Sequence, residues 1–284
     1  MSVARRPHPA LATLLGMGAG ASTAAVAARV LLARQAAVAR RVIGKPLGEE
    51  AHVADRVYRG AHGEAIDLLL LGDSIAAGLG AEKPGRTLGR QLAKRVARRT
   101  GRTVHLRVVA QVGAETSMLA DQLATLEADY RPAVSVVVVG GNDVTHRVRV
   151  SESRTHLAQA VAALQERGSA VVIGTCPDLG ALRAVPQPLR SLAGLMSRQL
   201  AAAQRQVAAE HGAYAVSLAA VVGPFFVTCP DEMFSEDRFH PSGAGYRRTA
   251  KALLPSVLAA LGERDAVPFG HHPPTPVTHP AGGG

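Results

Sequence analysis

Apolar runs of strand length alternate with helix-period patterns from about residue 64 onward. The predicted strands are residues 65–71, 104–110, 134–139 and 170–174, with residues 213–218 as a weaker fifth. Runs such as Val-Ser-Val-Val-Val-Val at 134–139 lack a regular polar alternation, which is typical of strands buried on both faces of a parallel sheet. We therefore expect a central parallel sheet of about five strands.

Helical patterns fill the intervals between these strands. They cover residues 88–99, 116–128, 152–167 and 189–210, and a last helix is predicted from Pro241 to Leu261, with Pro241 in its first turn. Strands and helices in alternation predict a doubly wound α/β sandwich of three layers, α/β/α. The domain is expected to span residues 62–262.

The N-terminal segment, residues 1–50, has a different pattern. Residues 10–28 are uncharged and follow Arg5 and Arg6, and Ala25-Val26-Ala27 resembles a signal-peptide cleavage site. The stretch is nearly long enough to span a bilayer, but the basic residues behind it argue against simple export. We expect a signal, an anchor or a membrane-lying helix, and hence a membrane-associated or exported protein. The alternative is an ordinary Ala-rich helix of a cytoplasmic protein.

The C-terminal segment, residues 263–284, is rich in Pro, Gly and His and is predicted to be disordered. His271 and His272 lie there, and a solvated tail is favoured over weak metal binding. Cys176 and Cys229 do not have the spacing of a metal site. Two unpaired thiols are the preferred interpretation, and a disulfide between them is the alternative if the domain is exported.

Composition and charge narrow the possible partners. The net charge is +10, but residues 1–50 contribute seven basic against two acidic side chains, 7 − 2 = +5. Attraction to an anionic membrane explains a basic N-terminal segment at least as well as nucleic acid does. Aromatic residues make up only 3% of the chain, so few platforms for base stacking exist. We expect no nucleic-acid partner.

The first candidate for chemistry follows the first predicted strand. There Gly72-Asp73-Ser74 leads into a turn, at the sheet edge where doubly wound folds place their active groups. Ser74 is a candidate nucleophile with backbone N–H groups nearby. The alternative is that Asp73 or Ser74 only caps a helix.

Two further candidates follow the next strands. Gly113 is a candidate backbone N–H donor to an oxyanion, or else a loop glycine with positive φ. Asn142, in Gly140-Gly141-Asn142-Asp143, is a candidate uncharged donor for the developing oxyanion of acyl transfer, or else ordinary turn chemistry.

An acid–base pair is predicted near the end of the domain. In Asp237-Arg238-Phe239-His240-Pro241 a carboxylate stands three residues before a histidine. Asp237 can orient the imidazole, and His240 can then take a serine proton and return it to a leaving group. Without the other motifs, a surface pair is the preferred interpretation.

The ordered set Ser74, Gly113, Asn142, Asp237 and His240 resembles the SGNH hydrolase family, whose sequence blocks are named for Ser, Gly, Asn and His. The resemblance covers about residues 65–261 and implies a flavodoxin-like sandwich without a metal or cofactor. It implies catalysis by Ser74, Asp237 and His240, and an oxyanion hole formed by Ser74, Gly113 and Asn142. No G-x-S-x-G motif surrounds Ser74, so the ordinary α/β-hydrolase fold is not the expected one.

By this resemblance the substrate is a small-molecule or lipid acyl ester, cleaved by an esterase, lipase or lysophospholipase. An acyltransferase that passes the acyl group to a sugar or another hydroxyl is the alternative. The loop after the fourth strand is expected to border the substrate. Its apolar residues suit either an acyl chain or packing on the next helix, and they are Leu179, Leu182, Val185 and Leu189.

Overall fold

The computed structural model describes residues 9–44, 46–48, 50–61 and 63–274, with side chains from residue 25 onward. Arg5 and Arg6 of the predicted signal, and residues 275–284 of the predicted tail, lie outside the described residues.

The core of the protein is a seven-stranded sheet. Its strands in chain order are β1 Arg56–Tyr58, β2 Ile66–Gly72, β3 Val104–Val108, β4 Val134–Val138, β5 Ala170–Gly174, β6 Tyr214–Val216 and β7 His271–His272. They lie side by side in the order β1-β3-β2-β4-β5-β6-β7. The five central strands are parallel, and β1 and β7 add antiparallel edges. The predicted parallel sheet of about five strands is confirmed, in the flavodoxin-like order 2-1-3-4-5.

The helices in chain order have the following bounds: α1 Pro9–Ile43, α2 Ser74–Ala77, α3 Leu88–Thr100, α4 Leu119–Ala124, α5 Gly141–His146, α6 Val150–Glu166, α7 Leu189–Glu210, α8 Leu218–Val221, α9 Gly223–Thr228, α10 Pro230–Met233 and α11 Gly243–Ala260. The predicted helix at 116–128 is shorter, because a 3₁₀ turn at Thr116–Met118 precedes α4. The last helix begins at Gly243 instead of Pro241, since the Ser242 hydroxyl accepts the Ala244 and Gly245 amides as its N-cap.

Helices cover both faces of the sheet, as the alternation of elements predicts. Successive side chains of β2 point to opposite faces. Leu68 and Leu70 pack with the buried residues of α3 and α11, whereas Leu69 and Leu71 pack with those of α4, α6 and α7. This double burial explains why the strand is continuously apolar.

Both predicted domain boundaries need correction. Upstream of residue 62, β1 pairs with β3, and the Asp55 carboxylate accepts the Val108 amide at 2.9 Å. Downstream, the prediction of a disordered tail is wrong for the described residues 263–274. There β7 pairs with β6, and Nδ1 of the buried His271 is 2.8 Å from the Ser256 hydroxyl. Backbone pairing at the two sheet edges orders both segments.

The N-terminal helix α1 packs against α7. Its Ala39 is buried in a small cluster above the sheet, together with Val144 of α5, Leu179 and Leu200. Cys176 lies in the same cluster, and both it and the exposed Cys229 are free thiols. Among the helices of the described residues, none combines the length and apolar character that crossing a bilayer requires.

Candidate active site

Three of the predicted residues form a hydrogen-bonded chain at the carboxyl edge of the sheet. The Ser74 hydroxyl lies 3.0 Å from Nε2 of His240, and Nδ1 of His240 lies 2.5 Å from Oδ2 of Asp237. A histidine in such a chain can accept the serine proton while the carboxylate fixes its tautomer and stabilises the imidazolium.

The turn that presents Ser74 depends on its two predecessors. Gly72 has φ 133°, and a Cβ atom there would lie only 1.9 Å from the Val138 carbonyl oxygen, so only glycine fits between β2 and β4. Asp73 is the N-cap of α2, and its Oδ1 accepts the Ile75 amide at 2.9 Å. Of the two residues considered as helix caps, Asp73 is therefore the cap, and Ser74 is the first residue of α2. The Ser74 amide is consequently one of those that have no acceptor inside the helix.

A buried glutamine, absent from the sequence predictions, holds the same turn. The Gln122 side chain of α4 accepts the Gly72 amide and donates to the Gly72 carbonyl, both at 2.8 Å. These bonds satisfy the backbone of the last residue of β2, at the point where it leaves the sheet. The signal in the sequence is its spacing, because Gln122 is three residues after the buried Leu119 and so lies on the inner face of α4.

The Asp237 carboxylate is the centre of a compact turn. Its Oδ1 accepts the Ser235 hydroxyl at 2.7 Å and the Phe239 and His240 amides at 2.9 Å each. Burial raises the pKa of Asp237, but the hydrogen bonds from His240 and Phe239 outweigh it and hold that pKa below its usual value. Arg238 between them has φ 56°, an uncommon conformation for a residue with a Cβ atom. The turn thus keeps Asp237 ionised and fixed against the imidazole.

The two predicted oxyanion donors, Gly113 and Asn142, line an open cleft together with Ser74 and His240. Gly113 has φ 84°, with open space where a Cβ atom would lie. It is therefore a loop glycine with positive φ, as the alternative interpretation of the sequence had it. One N–H of the Asn142 side chain donates to the Ala114 carbonyl at 2.9 Å. This bond orients the amide, and its second N–H remains to meet an oxyanion.

Two buried aspartates brace these loops, and the sequence predictions gave neither of them this role. Asp143 accepts the Thr116 amide at 3.0 Å and the Ser153 hydroxyl at 2.6 Å. Asp73 accepts the Gly141 amide through Oδ2 at 3.3 Å. Burial raises the pKa of Asp73 to about 6, although the Ile75 and Gly141 amides lower it. The nucleophile turn and both oxyanion loops are therefore linked through carboxylates.

A narrow cavity of about 80 Å³ opens beside Ser74. All four apolar residues of the loop pack in or against the cluster around Ala39, and Leu179 and Leu182 also line the cavity, as expected. The sequence predictions missed the aromatic walls, which come from Phe226, Phe234 and Phe239. The cavity is mostly apolar and suits a short hydrocarbon group next to the hydroxyl.

Within the described residues, no three His, Cys, Asp or Glu side chains are grouped as metal ligands would be.

Comparison with known proteins places this geometry in context. Residues 70–248 match the model of the GDSL-like lipase/acylhydrolase family. The chain is 36% identical to the GDSL-like esterase Rv1075c of Mycobacterium tuberculosis, over 96% of this chain and 90% of that one. The crystal structure of TesA superposes with a TM-score of 0.55 at 25% identity, covering 69% of this chain and 99% of that one. A lipase/acylhydrolase from Enterococcus faecalis superposes with a TM-score of 0.54 at 22% identity, covering 71% and 100%, and supports the fold alone.

Proposed function

The chain belongs to the GDSL-like lipase/acylhydrolase family, and from that premise we propose that it hydrolyses small-molecule or lipid acyl esters with Ser74 as the nucleophile. The observation that carries the proposal is the chain from Ser74 Oγ through His240 to Asp237, with contacts of 3.0 and 2.5 Å.

In the first half of the reaction, Ser74 Oγ forms a bond to the acyl carbon and its proton passes to Nε2 of His240. The carbonyl oxygen becomes an oxyanion, which meets the N–H groups of Ser74, Gly113 and Asn142. The bond from the acyl carbon to the alcohol oxygen then breaks, and His240 returns the proton to that oxygen. An acyl group on Ser74 and a free alcohol result.

In the second half, water takes the place of the alcohol. His240 accepts one proton from the water as its oxygen bonds to the acyl carbon, and the same N–H groups hold the new oxyanion. When the bond to Ser74 Oγ breaks, His240 returns the proton to that oxygen and a carboxylic acid leaves. Asp237 stays ionised throughout and stabilises the imidazolium formed in each half.

Hydrolysis of an ester panel from acetyl to palmitoyl by the full chain tests this proposal. We expect Ser74→Ala and His240→Ala to abolish turnover without loss of the fold, and Ser151→Ala, at an exposed serine on α6, to leave it unchanged. Turnover retained by a folded Ser74→Ala protein rejects the mechanism. A folded wild-type protein that hydrolyses none of the esters, but transfers acyl groups to an added sugar hydroxyl, is instead an acyltransferase.

We also propose that α1 attaches the protein to anionic membrane surfaces. It carries Arg29, Arg34, Arg40 and Arg41 without an acidic residue, and Leu31, Val38 and Val42 lie exposed along it. Basic and apolar residues exposed on one helix favour an interfacial position. We expect the protein to sediment with vesicles that contain phosphatidylglycerol and to remain in solution with pure phosphatidylcholine. Equal sedimentation with both, or with neither, contradicts the proposal.

A further inference from the structure

The end of α1 and the turn after it form one wall of the open cleft at the active site. This wall consists of Arg40, Ile43, Gly44, Leu47 and Gly48. The same cleft is lined by Val112, Gly113, Thr145 and His146, and by Ser74 and His240. The cleft has a volume of about 770 Å³, in contrast to about 80 Å³ for the apolar cavity. Residues assigned by sequence to a separate N-terminal segment therefore line the same cleft as Ser74.

Specific contacts hold this wall in place. Ala39 is only 6% exposed, in the cluster that also packs against Ile43 and Phe239. The Gln35 side chain accepts the Leu189 amide at 3.0 Å and donates to the Gln187 carbonyl. The Phe239 ring meets the His240 ring edge to face, with centroids 4.9 Å apart. The docking of α1 is thus continuous with the packing around the catalytic histidine.

The two spaces beside Ser74 differ in chemistry. The small cavity is apolar and more enclosed than the cleft, which suits the acyl chain. The large cleft is open. Most of its surface is apolar, from residues such as Ile43, Leu47 and Val112, and Arg40, Thr145 and His146 add polar groups to it. The alcohol must leave past His240, and water must then enter from solvent, which an open space allows.

We infer that the α1 wall is part of the binding site for the alcohol half of the ester, and that this half is a bulky alcohol with both apolar surface and polar groups, as a hexose has. The inference rests on the proposed function and names a substrate class for it. A small alcohol, such as methanol, does not reach the wall, because the cleft is far larger than such a group. A hexose-sized alcohol fills much more of the cleft, and we expect it to contact the wall and to have a lower KM for that reason.

The test compares two butyrate esters with the full chain, methyl butyrate and 6-O-butyrylglucose, by titration of the butyric acid released. Ala39→Glu places a charge in the buried contact between α1 and α7, and we expect it to displace the α1 wall from the cleft. Ala37→Glu makes the same change two residues earlier, where the side chain is exposed. We expect Ala39→Glu to lower kcat/KM for the glucose ester about 10-fold relative to kcat/KM for the methyl ester, mainly through KM. Ala37→Glu should leave the ratio of the two unchanged.

Gln35→Ala is the second variant, for the case that Ala39→Glu reduces the melting temperature too far. It removes only the hydrogen bonds to residues 187 and 189, so we expect a smaller fall in the same ratio. An unchanged ratio in folded Ala39→Glu and Gln35→Ala overturns the inference, as does a rise, which would make the segment an obstruction. Failure of the wild type to release acid from either ester is a different result, because it rejects the hydrolase function itself.

Discussion

Gly80 packs directly on His240, the proposed general base. A Cβ atom at Gly80 would lie 3.0 Å from the Cβ of His240 and 2.6 Å from the Pro241 carbonyl oxygen. Gly80 also has φ 95°, a conformation that strains any other residue. The residues after the nucleophile therefore set the position of a histidine that is 160 positions later in the sequence (240 − 80).

Gly80→Ala should displace His240 from Ser74 and lower kcat. Misplacement of a catalytic group by about 1 Å costs on the order of 10²-fold in rate, so we expect a loss of that size. Gly85→Ala is the matched control, because Gly85 has no atom within 4 Å of a Cβ position. Steady-state kinetics on one ester measures both. Equal kcat for the two variants would show that the contact does not position the histidine.

Asn142→Ala should lower kcat by about 10²–10³-fold, the usual effect of removing one oxyanion donor. The amide acts on charge that develops only in the transition state, so KM should change little. Thr155→Ala, at an exposed threonine on α6, should retain kcat within about twofold. A loss that is confined to KM would assign Asn142 to substrate binding instead.

The local pattern of the chain predicts the parallel sheet because each central strand is buried on both faces and is therefore apolar along its length. It does not predict β1 and β7, which are short edge strands ordered by backbone pairing to strands already in place. His271 and His272 stand among Pro and Gly residues and have no apolar pattern of their own. The position of Ala39 is equally hidden, because its burial depends on α7 and on the loop after β5.

The residues of the candidate site also divide into those with a local sequence signal and those without one. Ser74, Gly113 and Asn142 are recognisable because they follow strands whose carboxyl ends meet at one edge of the sheet. Gln122 and Asp143 are not, because their importance comes from partners distant in the sequence, Gly72 and Thr116. Polar residues that brace the reactive groups carry no local signal beyond being polar in a buried segment.

The two thiols should react very differently. Burial raises the pKa of Cys176 well above its usual value, and Asp73 and Asp143 add to the effect, so little thiolate forms. Cys229 is exposed. We expect iodoacetamide at pH 8 to modify Cys229 in the native protein and Cys176 only after unfolding, as measured by mass spectrometry of the intact chain. Native modification at both positions would contradict the packing around Cys176.

Asp237 should stabilise the protein most at neutral pH. Its folded-state pKa is below the unfolded value of about 3.9, so its contribution is present above that value and is lost as the pH falls through the folded pKa. The difference in urea midpoint between the wild type and Asp237→Asn should therefore shrink from about pH 5 to about pH 3. A midpoint difference that does not vary with pH would exclude this electrostatic role.

At pH 7 Asp237→Asn should also lower kcat, but less than His240→Ala does, because a histidine without its carboxylate still acts as a base.

Asp73 should show the opposite pH dependence. Its pKa is raised to about 6 by burial, so the folded state binds a proton more tightly than the unfolded chain. Its contribution is greatest below about pH 4 and is lost as the pH rises through about 6. As the pH rises over this range, the urea midpoint of the wild type should thus fall relative to that of Asp73→Asn. Relative to Asp237→Asn, by contrast, the wild-type midpoint should rise with pH. If both variants show the same sign, burial does not control Asp73, and its bonds to the Ile75 and Gly141 amides keep it ionised.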